Sequence, residues 1–247
     1  TIDATIDAST FTGKLSVVAS DTNDIEVKGG SGNDTIAMAA ALTKTDKIDG
    51  GAGDDTLTMT AAALTTEFAG VSNIETVAFT ASSGAEAMDV SKLSAGVTTV
   101  QVDHRDGTDD TGAETMTISN LDGQTVNIKH TVADTASTNA DGDGTAVVIT
   151  GKTDTANDTV NVILDAISGI SGGAGKLGLG TLDVGNYETV NLTSSKSTTV
   201  TANTLNTITA TSATAVNVSG DADLTITAVG GGAMTSLNAS ALAGKFT

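Results

Sequence analysis

Two nonamers carry the side chains and backbone with the most chemistry to offer. Gly29-Gly30-Ser31-Gly32-Asn33-Asp34-Thr35-Ile36-Ala37 and Gly50-Gly51-Ala52-Gly53-Asp54-Asp55-Thr56-Leu57-Thr58 share one frame, G-G-x-G-x-D-x-U-x, where U is a large apolar residue. Each copy fixes three glycines, one aspartate and one apolar position. The glycines permit positive φ and let backbone carbonyls turn toward a common point. Asp34 and Asp55 add charged oxygens. A hard cation such as calcium takes six to eight mixed carbonyl and carboxylate oxygens at about 2.3–2.6 Å. The candidate metal set is therefore Gly29, Gly30, Gly32, Asn33 and Asp34 in the first loop, and Gly50, Gly51, Gly53, Asp54 and Asp55 in the second. The plainer alternative is two glycine turns that only reverse the chain.

The loops need elements to hold them. Ile36 and Leu57 begin short strands and point inward, so each nonamer reads as a loop that binds followed by a strand that packs. Gly29 and Gly50 are 21 residues apart, whereas two adjoining nonamers per coil would give 18. Residues 38–49 then form the opposite half of one coil, and the two glycine loops stack on one edge with calcium between them. Elsewhere, period-two alternation argues for strands. It runs through Ile6, Leu15-Ser16-Val17-Val18 and Ile25-Glu26-Val27. It returns in residues 187–229 as Val190/Leu192, Val200/Ala202, Ile208/Ala210, Val216/Val218 and Leu224/Ile226. Strand centres there lie eight to ten residues apart, a spacing natural for solenoid rungs, with inward Thr and Asn satisfied by stacked ladders. Residues 161–185 are the helical candidate: Val162-Ile163-Leu164, Ile167 and Ile170 fall at spacings of three and four before a glycine run from 169 to 180. The expected fold is an all-β parallel β-solenoid or β-roll with few or no helices. Its segments are 1–97 with the nonamers, 98–185 as an acidic, glycine-rich insert with a short helix, and 186–247 as a Thr-rich solenoid. The three also read as one continuous domain.

Composition agrees with a narrow interior. Only 2% of the 247 residues are aromatic, with no Trp, Pro or Cys, so the core must be Val, Ile, Leu, Ala and Thr. The formal net charge of −19, from 30 acidic and 11 basic residues, opposes a compact state unless cations offset it. It also makes nucleic acid a poor partner. No apolar run reaches membrane-spanning length. Without an initiator Met or a signal peptide, the chain reads as a fragment of something longer.

Segments echo one another. Asp7-Ala8-Ser9-Thr10-Phe11-Thr12-Gly13-Lys14-Leu15 returns as Asn238-Ala239-Ser240-Ala241-Leu242-Ala243-Gly244-Lys245-Phe246, and more weakly from Asp89 to Val97, each a small polar turn closed by glycine. Asn73-Ile74-Glu75-Thr76-Val77 returns as Asn186-Tyr187-Glu188-Thr189-Val190. Such repetition is what stacked or tandem architectures show.

Other candidates are weaker. Asp103 to Asp110 reads as a long acidic loop. Asn139, Asp141 and Asp143 resemble the first half of a D-x-D-x-D-G calcium loop, with a solvated acidic turn as the alternative. Thr150 at the twelfth position excludes the helix–loop–helix form. Asn157-Asp158-Thr159-Val160 echoes the nonamer without its glycines. His104 and His130 read as a solvated loop residue and a strand-end residue. Neither H-E-x-x-H nor G-x-S-x-G occurs, so an enzyme is not expected.

With the nonamers, Ile6-Asp7-Ala8-Ser9 followed by Gly13, the Asn-Ile-Glu-Thr-Val phrase and the Thr/Ala/Gly/Val-rich rungs without Cys, the chain resembles the RTX proteins, and among them the bacterial surface-layer proteins exported by type I secretion. The resemblance covers most of the chain by texture and is specific at residues 29–37 and 50–58. It implies a calcium-dependent β-solenoid that assembles into a two-dimensional lattice on the cell surface, outside the cell. Its partners would be copies of itself, and cell-surface polysaccharide reached through regions outside this chain. The glycine and aspartate roles carry over onto Gly29, Gly30, Gly32, Asp34, Gly50, Gly51, Gly53 and Asp55. Two nonamers 21 residues apart depart from the family's longer runs. A calcium-stiffened module of a large secreted adhesin is the alternative reading, and the non-catalytic calcium roll of a secreted enzyme a third.

Overall fold

The computed structural model describes residues 4–19, 24–38, 42–60, 68–80, 85–103, 115–129, 146–165, 176–196 and 201–247. Over them the chain is an all-β parallel solenoid of twenty strands. The odd strands are β1 (Ala4–Asp7), β3 (Ile25–Lys28), β5 (Lys47–Asp49), β7 (Val71–Ser72), β9 (Ala85–Asp89), β11 (Thr115–Leu121), β13 (Ala146–Gly151), β15 (Lys176–Asp183), β17 (Ala202–Thr209) and β19 (Asp223–Gly230). The even strands are β2 (Ser16–Val18), β4 (Thr35–Ala37), β6 (Thr56–Thr60), β8 (Thr76–Thr80), β10 (Thr99–Asp103), β12 (Thr125–Lys129), β14 (Thr159–Asp165), β16 (Thr189–Ser195), β18 (Ala215–Gly220) and β20 (Ser236–Leu242). All ten even strands form one parallel sheet in chain order, while the odd strands form a sheet of four, β1 to β7, and a sheet of six, β9 to β19. Parallel neighbours cannot be joined by a tight hairpin. Here each odd strand crosses to the even sheet, and the chain returns one coil further on, giving ten coils.

Period-two patterning puts one face of every strand inside. Ile36, Leu57, Val77, Val100, Val126, Val162, Leu192 and Val218 stack in one inward column, none more than 1% exposed. Met59, Phe79, Val102, Ile128 and Leu164 make the next. Full burial of one such side chain contributes about 1.5–3 kcal/mol. The strand threonines of the even sheet point outward, contrary to the expected core. One outward column runs Ser16, Thr35, Thr56, Thr76, Thr99, Thr125, Asn161, Asn191, Asn217, Asn238. The next runs Val18, Ala37, Thr58, Ala78, Gln101, Asn127, Ile163, Thr193, Ser219, Ala241, and on the longer strands outward positions flank these two, Asp103, Lys129, Asp165 and Ser195 on one side and Thr159, Thr189, Ala215 and Ser236 on the other. The asparagine ladder also lies outside: Asn191 Nδ2 donates to Asn161 Oδ1 at 2.9 Å, and Asn217 Nδ2 to Asn191 Oδ1 at 3.0 Å. Among the described strand residues the buried polar ones are Ser194 and Asn203, while the turns bury Asp34, Asp46 and Asp55. Asn203 Nδ2 reaches across the interior from β17 to Ser194 Oγ at 2.8 Å, Ser195 O at 3.1 Å and Leu164 O at 3.2 Å.

The helix expected in 161–185 is corrected. Val160, Val162 and Leu164 alternate inward along β14 and leave Ile163 outside, a period of two. The consecutive triad Val162-Ile163-Leu164 mimics a helical face because one outward position on this sheet is also apolar. Ile167 and Ile170 lie outside the described residues, and Gly178 and Gly180 of the expected glycine loop belong to β15. The strands of 98–185 pair without a break with β8 on one side and β16 on the other. Residues 104–114 and 130–145 are outside the described residues, and with them His104, His130, Asn139, Asp141 and Asp143. Among the described residues the one short helical element is a 3₁₀ turn, Val90–Lys92. No helix there is long and apolar enough to cross a membrane.

Candidate metal centre

Both nonamer loops lie on the same edge of the solenoid, where odd strands hand over to even ones. Residues 29–34 join β3 to β4, 50–55 join β5 to β6, and 73–75 join β7 to β8. Thr35 stacks on Thr56, so the loops sit one above the other with a 21-residue offset, as the spacing predicts. Within residues 42–49, β5 lies in the opposite sheet.

Positive φ explains the glycines only in part. Gly51 (φ +95°) and Gly53 (φ +130°) use it. Gly30 and Gly50 are needed for closeness instead: a Cβ on Gly30 would overlap the Phe11 carbonyl oxygen, and one on Gly50 the Asn73 carbonyl oxygen. Stacked turns thus press backbone oxygens against the next coil.

The carboxylates reach back along the stack. Leu15 N–H donates to Asp34 Oδ1 at 2.7 Å, Asp34 N–H to Asp55 Oδ1 at 2.7 Å, and Asp55 N–H to Glu75 Oε2 at 2.8 Å. Each acid therefore caps the amide of the coil before it. The Asp55–Glu75 contact recurs four coils on, where Asp158 N–H donates to Glu188 Oε2 at 2.8 Å. Glu75 and Glu188 were missed as site residues. Their signal is a triplet of acid, Thr and apolar residue: Asp34-Thr35-Ile36, Asp55-Thr56-Leu57, Glu75-Thr76-Val77, Asp158-Thr159-Val160 and Glu188-Thr189-Val190. The echo of Asn73–Val77 in Asn186–Val190 is thus one edge turn used twice, with Ile74 and Tyr187 buried beneath it. Burial and the nearby Asp158 charge push the Tyr187 hydroxyl up to about 12. The other echo is an Asx turn used three times, with Ser9, Ser91 and Ser240 N–H donating to Asp7, Asp89 and Asn238 at 3.0 Å.

The two aspartates of the nonamers differ. Both are 1% exposed. Asp34 spends its second oxygen on Gly30 N–H at 2.8 Å. Asp55 Oδ2 is buried and has no hydrogen-bond partner. Burial raises the Asp55 carboxyl above its ordinary value; the Asp34 N–H opposes this, and the charges of Asp34, Glu75 and Asp54 add to it. Around it, Asn33 Oδ1 accepts from Asp54 N–H at 3.2 Å, and the Asp54 side chain is exposed. An orphaned buried carboxylate oxygen packed on Gly50, with the charges of Glu75 and Asp54 near it, fits a hard cation. Asp34, with both oxygens on amides, fits a turn cap. Among the described residues no three His, Cys, Asp or Glu side chains gather into one metal-binding group, so backbone carbonyls would have to supply much of the coordination. Comparison of the chain with protein-family models, curated proteins and solved structures finds no match.

Proposed function

We propose that the protein is a structural, self-assembling component of a cell surface, outside the cell, whose folding and assembly are tied to bound calcium. The observation that carries this reading is Asp55 Oδ2, a buried carboxylate oxygen without a partner in a chain of net charge −19. Asp55, Asp54, Asn33 and the carbonyls of the glycine loops would hold the ion. When bound, calcium supplies the positive charge these oxygens lack. The residues themselves do the rest: Asp34, Asp55 and Glu75 lock consecutive turns through their amides, so a cation held at Asp55 fixes the stacking of three coils. Because that arrangement exists only in the folded chain, the ion stabilises by mass action.

The test is a calcium titration of chelator-treated protein, followed by circular dichroism, calorimetry and light scattering. We expect a gain in β signal and in melting temperature, with larger particles that disperse when chelator returns. An unchanged spectrum, melting temperature and particle size across the titration would sink the reading.

A further inference from the structure

The charge of this protein is unevenly placed. On the odd sheets, outward residues include Glu26, Lys28, Lys47, Asp49, Asp183 and Asp223. On the even sheet the two central outward columns carry no charged residue across ten strands, and the position flanking them holds Asp103, Lys129 and Asp165, of which Lys129 Nζ and Asp165 Oδ2 pair at 3.2 Å. The central columns hold Thr and Asn, mixed with methyl-bearing Ala, Val and Ile. We propose that this face is the contact surface between two copies of the chain, laid even sheet against even sheet. The inference rests on the self-assembly reading and names the surface through which it occurs.

Three arguments select a second copy as the occupant. Two molecules of charge −19 repel wherever they present carboxylates, and the even face keeps them to one flanking position, where Asp165 is paired with Lys129. Depletion of charge is the compositional mark of an interface core. Ten strands about 4.8 Å apart and roughly 15 Å across give on the order of 700 Å² per copy, within the range of stable interfaces. The ladder period is also the same in both partners by construction, so hydroxyls and amides can register along the whole length. Asn161, Asn217 and Asn238 are exposed and retain hydrogen-bonding capacity beyond the ladder.

The test places charge on the face. In calcium, Thr99→Glu with Asn161→Asp should weaken association of the 247-residue chain at least about tenfold, read by analytical ultracentrifugation. The same two charges on the odd sheet, Thr117→Glu with Ala228→Glu, should leave it unchanged. Thermal melts confirm that each variant folds. A third variant, Thr99→Lys with Asn161→Lys, should be monomeric alone and should pair when mixed with the acidic variant. If the parent associates in calcium and both acidic face variants associate equally well, the face assignment is wrong and self-assembly stands. Equal loss from the even-face and odd-face variants also overturns it. If the parent stays monomeric with and without calcium, the self-assembly reading itself falls, and this inference with it.

Discussion

At Asp55 a single carboxylate sets the sign of two responses. Its folded pKa is raised, so the native state holds the proton more tightly than the unfolded chain. Without calcium its contribution is therefore favourable at low pH and is lost as pH rises from the ordinary value of 3.8 through the raised folded value. Asp89 behaves oppositely. The Ser91 hydroxyl, then the Asn120 amide and the Ser91 N–H, lower its pKa, so its contribution is present above the ordinary value and fades as pH falls through the folded one. Asp55→Asn keeps an oxygen for the Asp34 N–H and removes the buried charge. In chelator at pH 7 it should raise the melting temperature by about 2–4 °C, roughly 1 kcal/mol, and this gain should shrink toward pH 4. In calcium the variant should lose the parent's ion-dependent stabilisation. Parent and variant melting together in chelator at pH 7 would mean that the unpaired oxygen costs nothing.

At the level of strands, the sequence is legible wherever alternation is strict. Val190/Leu192 and Val216/Val218 face inward as their spacing requires, and Ile36 and Leu57 open strands behind their loops. Register is not legible, because the coils differ in length. Steps along the outward column from Ser16 to Asn238 run 19, 21, 20, 23, 26, 36, 30, 26 and 21 residues, so no fixed period appears. The capping acids were half legible: Asp34 and Asp55 stand out beside glycines, whereas Glu75 and Glu188 lack them and show only the Thr-apolar pair that follows. Asn203 gave no signal at all, since an inward amide looks like any other polar strand residue. Its importance comes from reach: one amide on β17 ties β14 and β16 of the opposite sheet where the inward column narrows to Ser194 and Gly220. Asn203→Leu should therefore destabilise the chain by about 2–3 kcal/mol in urea titration, despite its apolar surroundings, because carbonyls of Leu164 and Ser195 lose their buried donor. Asn217→Ala, on the exposed ladder, should cost less than about 1 kcal/mol. Equal costs at the two sites would remove the cross-sheet clamp from the account.

Across the whole molecule, one column changes character from end to end. The residue before each outward Thr or Asn reads Leu15, Asp34, Asp55, Glu75, Thr98 and Gln124, then Val160, Val190, Val216 and Leu237. At this position coils two to four therefore carry carboxylates and coils seven to nine buried valines, with the Asp158–Glu188 cap of coils seven and eight set two residues earlier. Stacked coils touch only their neighbours, so stability is close to a sum of local terms and can differ along the axis. Chelation removes a term from the carboxylate coils alone. Hydrogen exchange read by mass spectrometry should then show faster exchange in chelator for residues 24–60, with β16 and β18 protected equally with and without calcium. An even loss of protection over all ten coils would mean that the solenoid opens as one unit and that the ion acts globally. No loss anywhere would return the carboxylate column to simple turn capping, complete without a metal. The graded outcome alone joins the chemistry at Asp55 to the architecture, because it requires the edge that holds the ion to be the edge that opens without it.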